Sequence, residues 1–300
     1  MNLQDIGVYF SWFILIYMLV VISFYSVVML ISVIQLRKEY RLDREKSFGD
    51  YAEDIYTKPI SIIVPAFNEE AGIVHSIRSL LSINYPVFEI IVVNDGSSDK
   101  TMDVLIEQYD MKEIKKVIRK QVNSKPIKKV YQSQILPNLF LVDKDNGGKA
   151  DALNAGLNFS HYPYVCSLDG DSVLERDAFL KVMKPIIESN EEIIASGGSI
   201  RIANGCEIRN GEVLKIGLAK NPLVIMQVIE YLRAFLMGRI GLSRHNLLLI
   251  ISGAFGVFSK HWVVQAGGYR SDTVGEDMEL VVRIHRILKE TRQKKRIVYV

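Results

Sequence analysis

Residues 60–95 read ISIIVPAFNEEAGIVHSIRSLLSINYPVFEIIVVND, and this stretch indicates the class of fold. Two apolar runs, residues 60–67 and 88–95, flank a segment whose apolar residues recur at helical spacing. A strand, a helix and a second strand in this order form a βαβ unit. Two later apolar runs, residues 139–143 and 164–168, are each followed by another helical pattern. We therefore predict an α/β fold with a mostly parallel central sheet.

The amino-acid composition argues against two classes of protein. Hydrophobic residues make up 49% of the 300 residues and charged residues 24%, which is too polar for a protein with many membrane spans. The net charge of +3 argues against a dedicated nucleic-acid binder, so no nucleic acid is expected as a partner. The two cysteines, Cys166 and Cys206, form no C-x-x-C pair. We therefore expect no disulfide framework or zinc site, and a reducing compartment.

One segment near the N-terminus has the character of a membrane span. Residues 7–36 contain no charged residue, and about 20 apolar residues are enough to cross a bilayer. Asp5 precedes the run, and a cluster of basic residues follows it. By the positive-inside rule, the N-terminus lies outside and the rest of the chain in the cytoplasm. We predict a transmembrane helix over residues 7–36 in the cell membrane and a juxtamembrane linker over residues 37–58; the alternative is a buried core helix.

Acidic and amide side chains follow the predicted strands. Asn68, Asp95, Asp143 and Asp169 each stand at or just beyond the end of an apolar run. In open α/β sheets, ligands bind in the crevice outside the carboxyl ends of the strands. The sequence therefore predicts a ligand site that has several acidic groups on one rim.

The sequence LDGDS at residues 168–172 places Asp169 and Asp171 two positions apart after a strand. Two close carboxylates repel each other unless a cation neutralises them. Mg²⁺ or Mn²⁺, shared with substrate phosphates, suits such carboxylate oxygens. The alternative is a plain turn, because Asp-Gly-Asp favours turns without any metal. A calcium loop of the EF-hand type does not fit, since its further ligand positions are missing.

Two motifs after strands suit a nucleotide. In VNDGSSDKT, residues 93–101, Asp95 could accept from a nucleobase N–H or a ribose hydroxyl, or could be part of a helix cap. In DNGGKADALNAG, residues 145–156, a glycine pair allows backbone to approach a ligand, and Lys149 offers a point charge for phosphate. The spacing is not that of a P-loop.

Two C-terminal motifs could complete a site. ISGAFGVF, residues 251–258, offers small residues to a ligand or to another backbone. GEDMELVVRIHR, residues 275–286, places Glu276 and Asp277 at a helix N-terminus. Acids at that position ordinarily complement the helix dipole. Asp277 could instead be a general base.

Two further segments leave alternatives open. The basic stretch at residues 112–129 is a solvated insertion or a binding segment. The apolar stretch at residues 223–242 carries three charged side chains, which disfavours a second span. It is an interfacial amphipathic helix or a core helix.

Taken together and in this order, SIIVPAFNEE, IIVVNDGSSDKT, DNGGKADALNAG, LDGDS, SGAFGVF and GEDMEL resemble the family 2 glycosyltransferases. This family includes cellulose, chitin, hyaluronan and poly-N-acetylglucosamine synthases. The resemblance extends from about residue 60 to residue 286. It implies a Rossmann-like GT-A fold for a catalytic domain over residues 59–300, with one site for Mn²⁺ or Mg²⁺ and a nucleotide-sugar donor.

The resemblance also implies roles for individual residues. Asp277 would be the catalytic base with Glu276 beside it, and Ser252 and Gly253 would form the acceptor side. Asp169 and Asp171 would hold the metal, with Asp171 the more direct ligand. The remaining donor-binding residues would be Pro65, Ala66, Asn68, Glu69, Asp95 and Lys149.

The function implied is inverting transfer of a sugar from a UDP-sugar, with UDP-GlcNAc or UDP-glucose favoured, to a glycan acceptor. The product would be a β-linked polysaccharide made at the membrane. The alternatives are single transfer to a lipid or glycoconjugate, and a catalytically silent subunit that binds a nucleotide-sugar. A nucleotidyltransferase is disfavoured, because VPAFNEE is not a Gly/Arg-rich first loop.

One departure from the family pattern concerns the C-terminal side. Processive members carry a Q-x-x-R-W motif after the acid pair, and this sequence has none. The last residues, RIVYV, have the pattern of a strand. We therefore expect the protein to continue beyond residue 300 with that motif and further membrane helices.

Overall fold

The computed structural model describes residues 3–45, 57–169, 174–189, 192–209, 212–273 and 275–300. The strands in these ranges are β1 (Ile60–Ala66), β2 (Phe88–Asp95), β3 (Met111–Glu113), β4 (Ile127–Ser133), β5 (Leu139–Lys144), β6 (Tyr164–Ser167), β7 (Ile193–Gly197), β8 (Glu207–Arg209), β9 (Glu212–Lys215), β10 (Gly256–Ser259) and β11 (Arg296–Tyr299).

The helices are α1 (Leu3–Glu45), α2 (Ile73–Leu81), α3 (Thr101–Gln108), α4 (Lys149–Phe159), α5 (Ala178–Glu188), α6 (Pro222–Tyr231), α7 (Ile240–Arg244), α8 (Lys260–Gln265) and α9 (Glu276–Glu290). A π-helical segment, Leu232–Arg239, joins α6 to α7.

Nine of the described strands form one sheet in the order β11-β7-β10-β6-β1-β2-β5-β4-β3. The four strands predicted from the apolar runs form its parallel centre, β6-β1-β2-β5. On the flanks, β4 and β10 run antiparallel to their neighbours. The prediction of an α/β fold is therefore confirmed, with antiparallel strands added on both sides of the parallel centre.

The basic stretch at residues 112–129 is not entirely an insertion. Its first residues belong to β3 and its last ones to β4. Lys128 and Lys129 are exposed, whereas Val130 is buried. Charged side chains of this kind are common on strands near a sheet edge, where they discourage pairing with another chain.

The sheet is buried on both faces, which explains the uninterrupted apolar runs. One face packs against α4, α8 and α9, and the other against α2, α3 and α5. Gly156 of α4 allows the helix to lie close to β1, because a Cβ there would stand 2.4 Å from Cγ2 of Ile63. Pro185 lies inside α5, which continues to Glu188.

The two cysteines differ in environment, and we expect them to differ in reactivity. Cys166 lies in β6 with no exposed surface, and burial raises the pKa of its thiol to about 12. Cys206 is partly exposed. Because the thiolate is the reactive form, iodoacetamide added to the native protein at pH 8 will modify Cys206 and leave Cys166 intact. Peptide mass spectrometry measures this, and alkylation after denaturation is the control; equal native modification would contradict the buried position.

The predicted transmembrane segment lies within α1. The segment from Asp5 to Ile34 is long and apolar enough to cross a membrane, and most of its side chains are exposed, with Ser32 buried near its end. At its far end, α1 contacts the domain at Gly241 of α7. A Cβ at Gly241 would stand 2.8 Å from Ser32 Oγ and from Val28 Cγ1, so glycine permits this close contact.

The apolar stretch at residues 223–242 forms α6, the π-helical segment and α7. No residue of α6 is buried, and Leu223, Met226 and Ile229 are all more than half exposed. Core packing therefore does not account for α6, and the interfacial interpretation remains.

Candidate active site

The turns that follow β1 and β2 are tied together. Asn68 has φ of 55°, its backbone N–H donates to Ser97 Oγ at 3.0 Å, and its Oδ1 accepts from the Ser98 N–H at 2.9 Å. The Glu69 N–H donates to Thr101 Oγ1 at 2.9 Å. These bonds hold two strand ends in one rigid rim. The side-chain oxygen of Asn68 is thereby engaged in protein contacts.

Pro65 and Ala66 are the last two residues of β1. Pro65 is half-buried and Ala66 is buried. They pair in register with Val93 and Asn94 of β2. Their position is thus at the carboxyl end of the sheet, as the sequence predicted, and their contact with a nucleotide stays a prediction.

Asp95, at the end of β2, holds the turn that precedes α4. Its Oδ1 accepts from the Gly147 N–H at 3.0 Å and its Oδ2 from the Gly148 N–H at 2.7 Å. Lys144 also pairs with Oδ1, and Asp95 is 3% exposed. Gly148 has φ of 84°, a conformation that favours glycine. The carboxylate therefore positions the backbone ahead of Lys149, and its predicted contact with uracil or ribose remains untested.

Lys144 is a positioning residue that the sequence reasoning missed. Its side chain has no exposed surface, and its ammonium bridges Asp95 to Asp151, whose Oδ2 is 2.7 Å away. It also donates to the backbone carbonyl of Asp145 at 2.6 Å. The signal in the sequence was a lysine directly after an apolar run. A buried charge is costly unless it is paired and hydrogen-bonded, and this one is both.

Asp143 is the third of the four predicted rim residues. Its Oδ1 accepts from Asn94 Nδ2 at 2.8 Å, so it ties β5 to β2.

Lys149 begins α4 and connects two predicted acidic residues. Its Nζ lies 2.6 Å from Asp169 Oδ1 and 3.8 Å from Glu276 Oε1. Burial lowers the pKa of Lys149, but the hydrogen bond to Asp169 and the nearby carboxylates outweigh that effect and raise it. The lysine is therefore a stable cation in a group of acids.

Gly253 links Asp277, the candidate catalytic base, to Lys149 and its acidic neighbours. Its N–H donates to Asp277 Oδ2 at 2.9 Å. A Cβ at Gly253 would stand 3.6 Å from Lys149 Nζ and 3.7 Å from that carboxylate oxygen. Ser252 forms the preceding turn, with its Oγ accepting from the Ala254 N–H at 3.4 Å. Glycine thus leaves open the space between the lysine and the acid.

The structure therefore brings together five of the predicted residues: Lys149, Asp169, Gly253, Glu276 and Asp277. They come from four separate segments of the chain. Asp95 is linked to them through the turn that it holds. We refer to these five residues as the acidic cluster.

The acidic cluster suits a divalent cation by its chemistry. Three carboxylates surround one ammonium, which leaves negative charge, and Asp169 offers hard oxygen atoms of the kind that Mg²⁺ and Mn²⁺ prefer. Asp171, the predicted main ligand, lies outside the described residues. Among the residues that are described, no three His, Cys, Asp or Glu side chains are grouped closely enough to hold a metal ion by themselves.

Arg239 is one of the three charged residues in the apolar stretch at residues 223–242. Its guanidinium stacks over the Phe235 ring at 3.9 Å and lies 5.6 Å from the Tyr299 ring centre. Burial lowers its pKa, partly offset by Tyr299 and by Asp277. The π-helical segment therefore places the guanidinium of Arg239 on the side of the site where Asp277 lies.

Known proteins match both the sequence and the fold. The Glycosyl transferase family 2 profile matches residues 61–132 and 124–212, which together span half of the chain. The chain therefore belongs to glycosyltransferase family 2.

Two relatives are named poly-beta-1,6-N-acetyl-D-glucosamine synthase. The protein from Staphylococcus epidermidis is 29% identical over 268 residues, covering 87% of this chain and 55% of that one. The protein from Staphylococcus aureus strain COL is 29% identical over 228 residues, covering 75% and 45%. The chain thus spans about half the length of the curated relatives that it matches.

Solved structures show the same GT-A fold. A mannosyltransferase from Pyrobaculum calidifontis, in complex with GDP-Man and Mn²⁺, aligns with a TM-score of 0.55 and 16% identity, over 92% of this chain and 66% of that one. TarS residues 1–349 from S. aureus align with a TM-score of 0.50 and 18% identity, over 81% and 58%. The predicted family and fold are confirmed.

Proposed function

We propose that this protein transfers a sugar from a UDP-sugar to a glycan acceptor with inversion, building a β-linked polysaccharide at the membrane. UDP-GlcNAc and UDP-glucose are the favoured donors. The observation that carries the proposal is the acidic cluster, in which Lys149, Asp169 and Asp277 meet around Gly253. The names of the staphylococcal relatives support polysaccharide synthesis and N-acetylglucosamine as the sugar.

The donor half of the site is assigned to Lys149, Asp169 and Asp171. The ammonium of Lys149 suits the diphosphate of a nucleotide-sugar. Asp169 and Asp171 would hold Mn²⁺ or Mg²⁺, in line with the Mn²⁺ in the mannosyltransferase complex. The metal would supply positive charge to the departing diphosphate. In the acidic cluster, Asp169 contacts Lys149.

The acceptor half is assigned to Asp277. We infer that this carboxylate takes the proton from the acceptor hydroxyl, which attacks the anomeric carbon from the face opposite to the leaving group. The N–H of Gly253 holds Oδ2 of Asp277, and the Met278 N–H holds Oδ1 at 2.8 Å. The carboxylate is thereby oriented before the acceptor arrives. A single displacement inverts the configuration, so an α-linked donor gives a β-linked product.

We further propose that α1 spans the cell membrane and that the catalytic domain is cytoplasmic. The apolar length of α1 and the basic residues after it support this orientation. The apolar side chains of α6 are exposed. The π-helical segment joins α6 to α7, and α7 contacts α1 at Gly241. That arrangement supports an interfacial position for α6.

The direct test is transfer by membranes that contain the full-length protein. The membranes are incubated with a panel of labelled nucleotide-sugars and Mn²⁺ or Mg²⁺, and products are separated by size. We expect one UDP-sugar to enter a polymer whose linkages are β by NMR. A product carrying a single sugar would support the single-transfer alternative, and donor binding without product the silent subunit. No binding of any nucleotide-sugar would overturn the proposal.

Asp171→Ala tests the metal assignment. We expect the affinity for UDP in the presence of Mn²⁺ to fall by about ten-fold or more, a loss of about 1.4 kcal/mol or more, because Asp171 would be one of the two carboxylates that hold the ion. Titration calorimetry measures the affinity with Mn²⁺ and with EDTA. The matched control is Asp272→Asn, which changes an exposed acid outside the cluster. Wild-type affinity in Mn²⁺ would contradict the assignment.

A further inference from the structure

A cavity lies at the end of α4 opposite to Lys149. It has a volume of about 290 Å³ and is lined by Lys116, Arg119, His161, Lys260 and their neighbours. The ten-residue separation from Lys149 to Phe159 corresponds to about 15 Å along the helix. The cavity is thus at the amino ends of β1, β2 and β6, away from the carboxyl ends where the acidic cluster lies. We call it the basic cavity.

The chain around this cavity is strongly basic. Residues 112–129 contain eight Lys and Arg residues against one Glu, which leaves seven net positive charges, while the whole chain carries +3. Lys260, which begins α8, adds a further cation from a distant part of the sequence. The positive charge is therefore concentrated at one place by the fold.

Three of these cations line the cavity, and none of them has a carboxylate partner among the described residues. In the part of the chain that the structure describes, neither Lys116, Arg119 nor Lys260 forms an ion pair with Asp or Glu. Lys260 Nζ donates to the Ser160 carbonyl at 2.6 Å, which fixes the ammonium at the wall. Lys116 contacts Nε2 of His161 and lies over the ring of Phe159 at 4.9 Å. Each ammonium keeps N–H groups for a ligand.

The acid nearest to the cavity is already engaged. Glu89 is buried, and its carboxylate accepts from Ser61 Oγ at 2.5 Å and from the His161 N–H at 2.7 Å. It also pairs with His161 Nδ1 at 2.6 Å. Burial lowers the pKa of Lys260. The charge of Glu89 offsets part of that decrease, and the charge of Arg119 adds to it. Glu89 acts on the lysine only across a distance, so the cavity retains uncompensated positive charge.

The cavity wall is held in place by the protein itself. Asn158 of α4 accepts from the N–H groups of Gln121 and Val122 at 2.7 and 2.9 Å. Its Nδ2 donates back to the Val122 carbonyl at 2.9 Å. These bonds anchor the basic stretch against α4. The backbone on this side of the cavity is therefore held in place by the protein itself.

We propose that the basic cavity binds a phosphate group, separate from the diphosphate of the sugar donor. A phosphate carries up to two negative charges and three acceptor oxygens, which matches three cations better than a single carboxylate does. The guanidinium of Arg119 can bind two of those oxygens together. The group belongs either to a soluble phosphate compound or to an anionic lipid headgroup.

Lysine labelling tests this proposal on the full chain in phosphatidylcholine nanodiscs. An amine-reactive acetylating reagent is applied with and without pyrophosphate, in a phosphate-free buffer and with sodium chloride at matched ionic strength. We expect pyrophosphate, at a concentration several times its Kd, to slow the labelling of Lys116 and Lys260 by about five-fold. The labelling rate falls by a factor of one plus the ratio of the pyrophosphate concentration to Kd, because the bound ligand shields the ammonium groups. Lys289 and Lys294, exposed and remote, are internal controls.

Arg119→Gln provides the matched variant, because this exposed side chain can be changed without disturbing the core. It is expected to remove most of the protection at both lysines, while Arg286→Gln on the exposed face of α9 leaves it intact. Nanodiscs that contain phosphatidylglycerol and no pyrophosphate form the second arm. Protection by pyrophosphate supports a soluble ligand, and protection only by phosphatidylglycerol supports a headgroup. Unchanged labelling in both arms, or protection that survives Arg119→Gln, overturns the proposal.

Discussion

Replacement of Asp277 by Asn will lower the rate of sugar transfer by about 10²–10⁴-fold, which is the usual contribution of a general base. The proposed role of Asp277 is to take the acceptor proton, and an amide cannot do so. UDP affinity is expected to change little, because the donor half of the site rests on Lys149, Asp169 and Asp171. Initial rates with a radiolabelled donor and calorimetry with UDP and Mn²⁺ give the two quantities.

The structure shows what must be controlled in that experiment. Both oxygens of Asp277 accept backbone hydrogen bonds, from Gly253 and from Met278, and an amide side chain can accept only with one atom. A thermal unfolding midpoint near that of the wild type is therefore required before the rate is interpreted. Glu290→Gln removes an acid from the other end of α9 and is the matched control. Normal turnover by a folded Asp277→Asn protein would remove Asp277 from the mechanism.

Lys144→Met will destabilise the domain by about 3–5 kcal/mol, the range expected when one partner of a buried ion pair is lost. Methionine leaves the carboxylates of Asp95 and Asp151 without the ammonium that bridges them. The turn at Gly147 and Gly148 is held by the same Asp95, so we also expect weaker UDP binding. Thermal unfolding of the detergent-solubilised chain measures the first effect.

A matched control for that prediction is Lys289→Met, which removes an exposed lysine from α9. Lys144→Met combined with Asp95→Asn removes one charge of each sign and is expected to recover part of the lost stability. A Lys144→Met protein that unfolds at the same temperature as the wild type would show that the buried ammonium is not needed. UDP affinity measured on the same samples separates a local effect on the turn from a general loss of folding.

Much of the catalytic domain could be predicted because its parallel strands are buried on both faces. Their apolar runs end in polar turns, and strand ends of this type meet at one edge of a sheet. That rule by itself assigns Asp95, Asp143 and Asp169 to a common rim. The family resemblance adds Lys149 and Asp277, which the structure places around Gly253.

Other features could not be predicted because they depend on contacts distant in sequence. The antiparallel strands β3, β4 and β10 carry weak local patterns, and the charges of β4 are equally typical of a solvated insertion. A lysine such as Lys144 is usually exposed, since burial of a cation depends on partners such as Asp95, which is 49 residues away. Arg239 gains its position from the π-helical segment, which has no simple sequence signature.

For the basic cavity too, the sequence predicts one part and distant contacts decide the rest. The sequence displays eight basic residues between 112 and 129, but a charge run by itself is most simply a solvated surface. Only the fold brings Lys260 and His161 to that run and shows that Glu89 is engaged elsewhere.

By itself, the sequence determined the α/β class, the apolar N-terminal helix, the parallel strands and the order of the family motifs, because these depend on hydrophobic periodicity and local spacing. The tertiary structure decided which polar side chains meet. It joined Lys149 to Asp169 and Glu276, set Gly253 against Asp277, and buried Lys144 between two acids. These contacts arise where separate segments converge, and the strength of each charge interaction depends on distance and burial, which no local pattern specifies.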